Sequence, residues 1–395
     1  MQIQIPRQVE QIIEKLNENG YEAYAVGGCV RDTLLGRVPE DWDITTSARP
    51  DQVKKLFRRT IDTGIQHGTV TIMMDRNGYE VTTYRIDGEY EDGRHPKQVE
   101  FTKNLLEDLR RRDFTINAMA YSHETGIVDA FGGMEDLELG VIRCVGEAME
   151  RFTEDALRIL RAIRFSAQLG FAIEEQTWDA ISVIAPNLAK VSRERVQMEL
   201  TKLLCSKHPE RIREVYETGI SQYVSPAFAG LPREKVRIPA ELPAVKYVRW
   251  AAFLRCAKQA DAERAADTAA GILRDLKLDN DTIGKVKTLV FWSGAELPAD
   301  AEAVRRIMSR MEPEVWDVLM DLNEYGADIR ALTAQIRSDG DCLSLKELAV
   351  KGQDLIEAGV KPGKGIGEIL ARMLDHVLAC PEDNQRDVLL KKFCG

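Results

Sequence analysis

Asp41 and Asp43 flank a tryptophan in the run DWDITTS, so an extended backbone here turns both carboxylates to one face of a strand. Magnesium prefers oxygen ligands and commonly takes one or two carboxylates plus the phosphates of a substrate. Two carboxylates so placed can bridge a pair of ions about 4 Å apart, the arrangement used for in-line phosphoryl or nucleotidyl displacement. One ion would lower the pKa of an attacking 3′-hydroxyl, and the other would neutralise charge on a departing pyrophosphate. D-x-D alone describes a strand end with two solvated acids equally well, but the preceding segment narrows the choice. In VGGCVRD, Gly27 and Gly28 close an apolar alternating run and open a helix, where backbone N–H groups can approach phosphate. Arg31 follows one turn later and could grip the same phosphates bidentately, or simply pair with Asp32.

The elements that must position these groups are legible in outline. Residues 1–18 carry apolar positions at helical spacing, and 21–26 alternate as a strand. Residues 29–35 read as a short helix, 42–46 as a second strand, and Pro50 as the start of another helix. Residues 69–74 and 79–85 form an expected hairpin, with Asn77-Gly78 at its turn. A polar, glycine-containing connection at 87–97 is long for a hairpin and suits a functional loop, and 99–102 resume a strand. The mixed α/β pattern ends near residue 145. From Arg151 onward only helical periodicity is found, with breaks near 225–226, 294–298 and 338–340. The expected division is an α/β head at 1–145 with a mixed β-sheet, then an all-α neck at 146–225, body at 226–325 and tail at 326–395.

Bulk properties bound the function. A chain of 395 residues is too long for one compact domain. Its 44% apolar and 30% charged content is that of an ordinary soluble protein. No apolar run reaches a membrane span, and the first residues lack a secretory pattern. Seven scattered cysteines without a C-x-x-C pair suggest reduced thiols and a cytoplasmic protein, with no zinc expected. A net charge of −10 argues mildly against nucleic-acid binding unless the basic residues cluster.

A second constellation follows Thr153, an expected helix N-cap. Ala156, Ile159, Leu160, Ile163 and Ala167 share one face of that helix, and Asp155, Arg158, Arg161 and Arg164 the other. Such a stripe is commonly a solvated charged face. It also has a sharper chemistry. A carboxylate accepts from an exocyclic amino group, and a guanidinium donates to a ring nitrogen. Cytosine and adenine both offer an amino group beside a ring acceptor, whereas uracil and guanine put a carbonyl oxygen in its place. Against a carboxylate that oxygen is an unpaired contact. One Asp–Arg pair could therefore admit C and A and refuse U and G without a nucleic-acid template.

GGCVRD, DWDITTS and RRDFTINAMA (111–120) together resemble the class II branch of the polymerase-β-like nucleotidyltransferases. The resemblance continues through 143–165, 192–204 and 350–370, so it covers essentially the whole chain. That branch holds CCA-adding tRNA nucleotidyltransferases and bacterial poly(A) polymerases, and the spacing is most similar to CCA-adding enzymes of Bacillus-type bacteria. The resemblance implies magnesium on Asp41 and Asp43, and phosphate and sugar contacts from Gly28 and Arg31. It implies base reading by Asp155 and Arg158 with Glu154 orienting them. It further implies nucleotide contacts from Arg112, Arg161 and Arg164, with Asp113 orienting Arg112. Arg195 and Glu199 match a motif that braces the reading helix, although an ordinary i,i+4 pair fits them too. Glu80 is a candidate third carboxylate, a role that related enzymes give to a nearby strand. The connection at 87–96 matches a loop of complete CCA-adding members.

The implied activity transfers two CMP units and one AMP from CTP and ATP to the 3′ end of tRNA, releasing pyrophosphate. Alternatives are a CC-only or A-only enzyme, a poly(A) polymerase, and a non-catalytic RNA-binding protein. The acidic stretch PEDNQRD near the end of the chain speaks against the polymerase, and the intact carboxylate and E-D-x-x-R sets speak against decay. In KPGKG, Lys361 and Lys364 precede an expected helix at Ile366 and suit contact with the RNA backbone, and Lys246, Arg249 and Arg255 could add to it. The expected partners are tRNA, CTP and ATP, with no membrane. Monomer and dimer are both left open.

Overall fold

The computed structural model describes residues 3–87, 99–239, 241–258 and 261–394, so the connection expected at 87–97 lies, apart from its first residue, outside the described residues. The chain forms two compact units. One comprises the residues up to 235 together with Ile272–Leu278, and the other comprises Val236–Gly271 and Asp279 onward.

The first unit opens with α1 (Arg7–Glu18), whose Val9, Ile12, Ile13 and Leu16 are buried at i, i+3, i+4 and i+7. Its sheet comprises β1 (Ala23–Val26), β2 (Ile44–Thr46), β3 (Thr60–Gly64), β4 (Thr69–Met74), β5 (Asn77–Thr83), β8 (Met119–Ser122) and β9 (Gly126–Asp129), while β6 (Arg85–Asp87) and β7 (Val99–Phe101) pair separately. The order is β3-β4-β5-β2-β1-β8-β9. Only β2 and β5 run parallel, so the sheet is mixed as expected. Short helices α2 (Gly28–Leu34), α3 (Pro50–Leu56), α4 (Leu105–Arg110) and α5 (Gly133–Leu139) join the strands. Ile44, Val70, Ile72, Val81, Met119 and Tyr121 meet the apolar face of α1 and α2 in one core.

Two details differ from the sequence reading. The hairpin turns at Asp75-Arg76, both at positive φ, while Asn77 already pairs with Met74. Gly78 lies inside the strand because a Cβ there would stand 2.9 Å from Thr71 Cγ2, so the glycine serves close packing rather than the turn. The second strand begins at Ile44, so Asp41 and Asp43 occupy the extended run leading into β2, with Val26 N–H donating to Asp43 O (3.0 Å).

The remainder of this unit is helical: α6 (Ala148–Glu154), α7 (Leu157–Leu169), α8 (Glu175–Ile184) and α9 (Arg193–Leu204). One two-residue strand departs from the all-helical expectation there: Ala172–Ile173 pairs in parallel with Val141–Ile142. The helix expected after Thr153 is interrupted. Thr153 lies inside α6, donating to Met149 O (2.7 Å), and Asp155, in extended conformation, caps α7 by accepting from Leu157 N (3.0 Å). The second unit is all helical. Trp250 and Trp316 are fully buried in it, and a separate core forms around Leu348, Val350, Leu355, Met373, Val377 and Leu389.

Gly133 ties this scaffold to the segment 111–120. Its N–H is held by Asp129 Oδ1 (2.8 Å), and a Cβ would overlap the Thr115 carbonyl and lie 2.9 Å from Met119 Cγ. Gly133→Ala is therefore expected to destabilise the protein by about 1–3 kcal/mol through overpacking against backbone, measured as a lower denaturation midpoint with an unchanged slope.

Candidate active site

The strand register places the acidic groups. Ile44 on β2 is opposite Val81 on β5, so Asp43 and Glu80 are the next pair along the two parallel strands. Burial pushes the Glu80 carboxyl up, and Asp43 and Asp41 push it further. Burial also raises Asp43, with Arg112 drawing it down and Asp41 pushing it up. Among the described residues Arg112 is the one cation that shifts Asp43, and the acidic group offers oxygen donors only. That chemistry fits a hard divalent cation such as magnesium.

Arginines surround this end, and Arg31, Arg112, Arg161 and Arg164 each face a carboxylate. Arg31, 8% exposed, is held bidentately by Asp32 (2.9 Å each) and donates to Asn117 Oδ1 (2.7 Å). The Arg31–Asp32 pair foreseen as an alternative thus exists, and it aims the guanidinium without blocking it. Arg112 faces buried Asp108 at 3.6 Å, and its Nε has no hydrogen-bond partner. Gly27, at φ +83°, makes room for it: a Cβ there would stand 2.8 Å from Arg112 Nη1. Gly28 has space for a Cβ, 3.7 Å from Arg31 Nη2, so no neighbour within the protein demands a glycine there. Asp113, expected to orient Arg112, instead binds Arg161 (Nε 2.7 Å) and Asn117 (3.1 Å). Burial alone would raise the Asp113 carboxyl, but Arg161 and Asn117 take it well below the usual range.

The charged face of α7 is far from a solvated stripe. Arg158 and Arg164 are 9% and 6% exposed. Arg158 Nη1 donates to Glu154 (2.7 Å) and to Arg151 O (3.0 Å), and Nη2 donates to Arg111 O (2.9 Å). Arg195 grips Asp155 through both terminal nitrogens (2.7 and 3.3 Å). Glu199 accepts from Arg164 Nε (2.7 Å). Arg195 and Glu199 thus both reach from α9 to the α7 region rather than to each other. The Phe165 ring carries Arg164 at 3.6 Å and Arg31 at 5.0 Å from its centroid, which adds cation–π attraction. A cleft of about 590 Å³ is lined by Gly28, Arg31, Asp41, Asp43, Arg164 and Gln168 among others, whereas Asp155 and Arg158 are not among its lining residues.

Sequence reasoning missed Asp108 and Asn117. Asp108 is fully buried and accepts from Thr45 Oγ1 (3.1 Å) and Arg111 Nη2 (2.8 Å) while facing Arg112. It thereby joins the strand after Asp43 to the arginine opposite Asp43. The clue was the i,i+3 and i,i+4 spacing in DLRRR.

In the second unit, Arg249 and Arg255, expected as possible basic contacts, are engaged by the chain itself. Arg249 donates to Pro239 O (3.1 Å) and Arg255 to Leu322 O (2.6 Å), while Lys246 pairs with Asp279 (2.5 Å). Lys364 begins a helix two residues earlier than expected, Lys364–Ala379, and both Lys361 and Lys364 are exposed. Among the described residues, His376, Cys380 and Asp383 bring three ligand-type atoms within 4.8 Å of one another. The Lys392 ammonium already serves that cluster, 3.0 Å from His376 Nε2 and 3.8 Å from Asp383.

Comparison with known proteins gives a consistent picture. Residues 23–143 match the poly A polymerase head domain, 170–231 the RNA- and SrmB-binding region of polymerase A, and 246–393 the tRNA nucleotidyltransferase domain 2 family. The chain is 40% identical over 402 aligned residues to a CCA-adding enzyme of Lactiplantibacillus plantarum, covering 96% of this chain and 93% of that protein. It is 39% identical to one of Levilactobacillus brevis, covering 96% and 95%. The crystal structure of the Bacillus stearothermophilus CCA-adding enzyme in complex with CTP superposes with a TM-score of 0.81 at 33% identity, covering 99% and 98% of the two chains.

Two stability measurements check this site. Glu199→Ala leaves the Arg164 guanidinium buried without its partner and is expected to cost about 3–5 kcal/mol in equilibrium unfolding. Asp43→Asn should act oppositely. A carboxyl raised in the folded state binds its proton more tightly there, so ionising it at neutral pH costs stability that the amide does not lose. Without metal, the variant should melt higher than the parent at pH 7, and the difference should shrink as pH falls through the raised pKa.

Proposed function

Since the chain belongs to the CCA-adding enzymes, as its nearly full-length relatives establish, we propose that its cleft builds the 3′-terminal CCA of tRNA from CTP and ATP with no nucleic-acid template, through the residue roles that follow. Asp41 and Asp43, with Glu80 as a third carboxylate, hold magnesium. When bound, magnesium supplies positive charge at the phosphates and lowers the pKa of the attacking hydroxyl. Arg31 and Arg112 bind the triphosphate, Arg31 aimed by Asp32 and Asn117, and Arg112 by Asp108. Gly28 lets the nucleotide approach the backbone. Arg161 and Arg164, fixed by Asp113 and Glu199, complete the nucleotide pocket.

Asp155 and Arg158 read the base, and the observation that carries this is their unfilled hydrogen-bond capacity. A carboxylate has about four lone-pair sites, and those of Asp155 already receive Leu157 N and two Arg195 nitrogens. Roughly one acceptor position remains. Arg158 has five N–H groups, and three are engaged by Glu154, Arg151 and Arg111. Nε and one Nη2 hydrogen remain. An acceptor beside a donor is the complement of the edge that cytosine and adenine share, and it repels the carbonyl of uracil or guanine. Both side chains are fixed by partners that do not depend on which base is bound, which suits one pocket serving both nucleotides.

In this reading residues 1–145 form the catalytic head and 146–225 the nucleotide-reading neck. The body at 226–325 and the tail at 326–395 carry tRNA. Exposed Lys361 and Lys364 at the start of a 16-residue helix suit the RNA backbone. An enzyme of this class works in the cytoplasm, and no helix among the described residues is long and apolar enough to cross a membrane.

The deciding experiment uses tRNA transcripts ending at the discriminator base, at C and at CC, each with magnesium and CTP, ATP or both. Addition of two cytidines with CTP alone and a stop after one adenosine with both nucleotides is the expected result. A long adenosine ladder would place the protein with the poly(A) polymerases. Extension of only the CC-ended or only the bare transcript would mark a specialist. Asp41→Ala and Asp43→Ala should each abolish incorporation while tRNA binding persists in a filter assay, and surviving incorporation would remove them from the metal site.

A further inference from the structure

The cleft has a second, basic wall whose individual residues the reading above leaves without a role, Lys202 and Lys207 falling within the stretch 170–231 that matches an RNA-binding region. Besides Arg31 and the acidic pair, it is lined by Arg37, Lys202 and Lys207. Lys202 lies in the last turn of α9, Lys207 follows that helix, and both are exposed. Arg37 follows α2, half-buried, next to Val38, which is 93% exposed. Among the described residues these three side chains have no hydrogen-bond or ion-pair partner. This is notable in a chain of net charge −10, where other cations of the site, Arg31, Arg112, Arg161 and Arg164, all face a carboxylate.

From this contrast we infer that Lys202 and Lys207, with Arg37, seat the terminal phosphates of the RNA that is being extended. The inference rests on the nucleotidyl-transfer reading above, because only such a reaction brings two polyanions to Asp41 and Asp43. The nucleotide triphosphate has a fixed length and must present one phosphorus in line, which matches buried guanidiniums held rigidly by Asp32, Asn117 and Asp108. The RNA end changes length at every cycle. Its phosphates need charge without rigid geometry, and exposed lysines on flexible stems supply that. The two kinds of cation therefore divide the two substrates between them.

The test compares the full-length parent with the double variant Lys202→Ala/Lys207→Ala and its charge-preserving counterpart Lys202→Arg/Lys207→Arg. Affinity for a tRNA transcript ending in CC is measured by anisotropy across a potassium chloride series. The alanine variant should bind roughly tenfold more weakly at physiological salt, with the slope of log K against log salt reduced by roughly two, about one for each phosphate that no longer meets a lysine. The KM for ATP at saturating RNA should not move, and the arginine variant should restore both affinity and slope. Both lysines are exposed, so the thermal midpoint should be unchanged. Unaltered RNA affinity and slope, or a change confined to the KM for ATP, would overturn the assignment. Parent protein that adds no nucleotide to tRNA would defeat the nucleotidyl-transfer reading itself, an outcome read separately from the binding series.

Discussion

One carboxylate for each guanidinium is the constraint on which the site depends. Arg31, Arg112, Arg158, Arg161, Arg164 and Arg195 face Asp32, Asp108, Glu154, Asp113, Glu199 and Asp155 in turn. Grouped arginines repel one another and lose hydration when buried. Arg164 shows both effects: burial lowers its pKa first, Glu199 opposes this, and neighbouring Arg161 lowers it further. A paired guanidinium cannot wander to a new rotamer without stranding its partner. Four of the six pairs join α7 or its cap to other elements: Arg158 to α6, Arg161 to the 111–120 segment, Arg164 and Asp155 to α9. The reading helix is thereby fixed in rotation as well as position.

The acidic end is built the other way round. Arg112 opposes the raising of Asp43, no cation opposes that of Glu80, and the protein leaves the mutual repulsion of this acidic group standing. Buried guanidiniums satisfied within the fold and carboxylates left wanting make a site that is complete on one side and incomplete on the other. Functional sites often retain such local instability, which a better-packed or neutral variant would relieve at the expense of activity.

Much of the architecture was legible because its signals are local. The amphipathic α1, the alternating β1 and the proline at the start of α3 each follow from spacing within one element. The mixed head and helical remainder follow from where the two periodicities change. What escaped was set by contacts between distant segments. Asn77-Gly78 is a strong turn signal, yet the chain turns at Asp75-Arg76 because Gly78 is needed beneath Thr71. Thr153 looks like a cap, but Asp155 takes that place because Arg195, 40 residues away, holds its carboxylate there. The residues of the reading set could be named from E-D-x-x-R, whereas their partners could not. Asp113 bonding to Arg161 rather than aiming Arg112 is a fact of tertiary packing, and so is the burial of a helix face that reads as solvated.

On the proposed reading, in which Asp155 and Arg158 meet the base, the break between α6 and α7 has a consequence for fidelity. A reader made of one spare acceptor and two spare donors stores its entire instruction in three hydrogen-bonding positions. Each mismatched pairing costs about 1–3 kcal/mol, roughly a 5- to 150-fold preference, so two mismatches together give selection of roughly 25- to 20,000-fold. Nothing in such a reader inspects the nucleotide after it is joined. Accuracy is then set by how still Asp155 is held, and the accuracy of a three-nucleotide message rests on the rigidity of a helix cap.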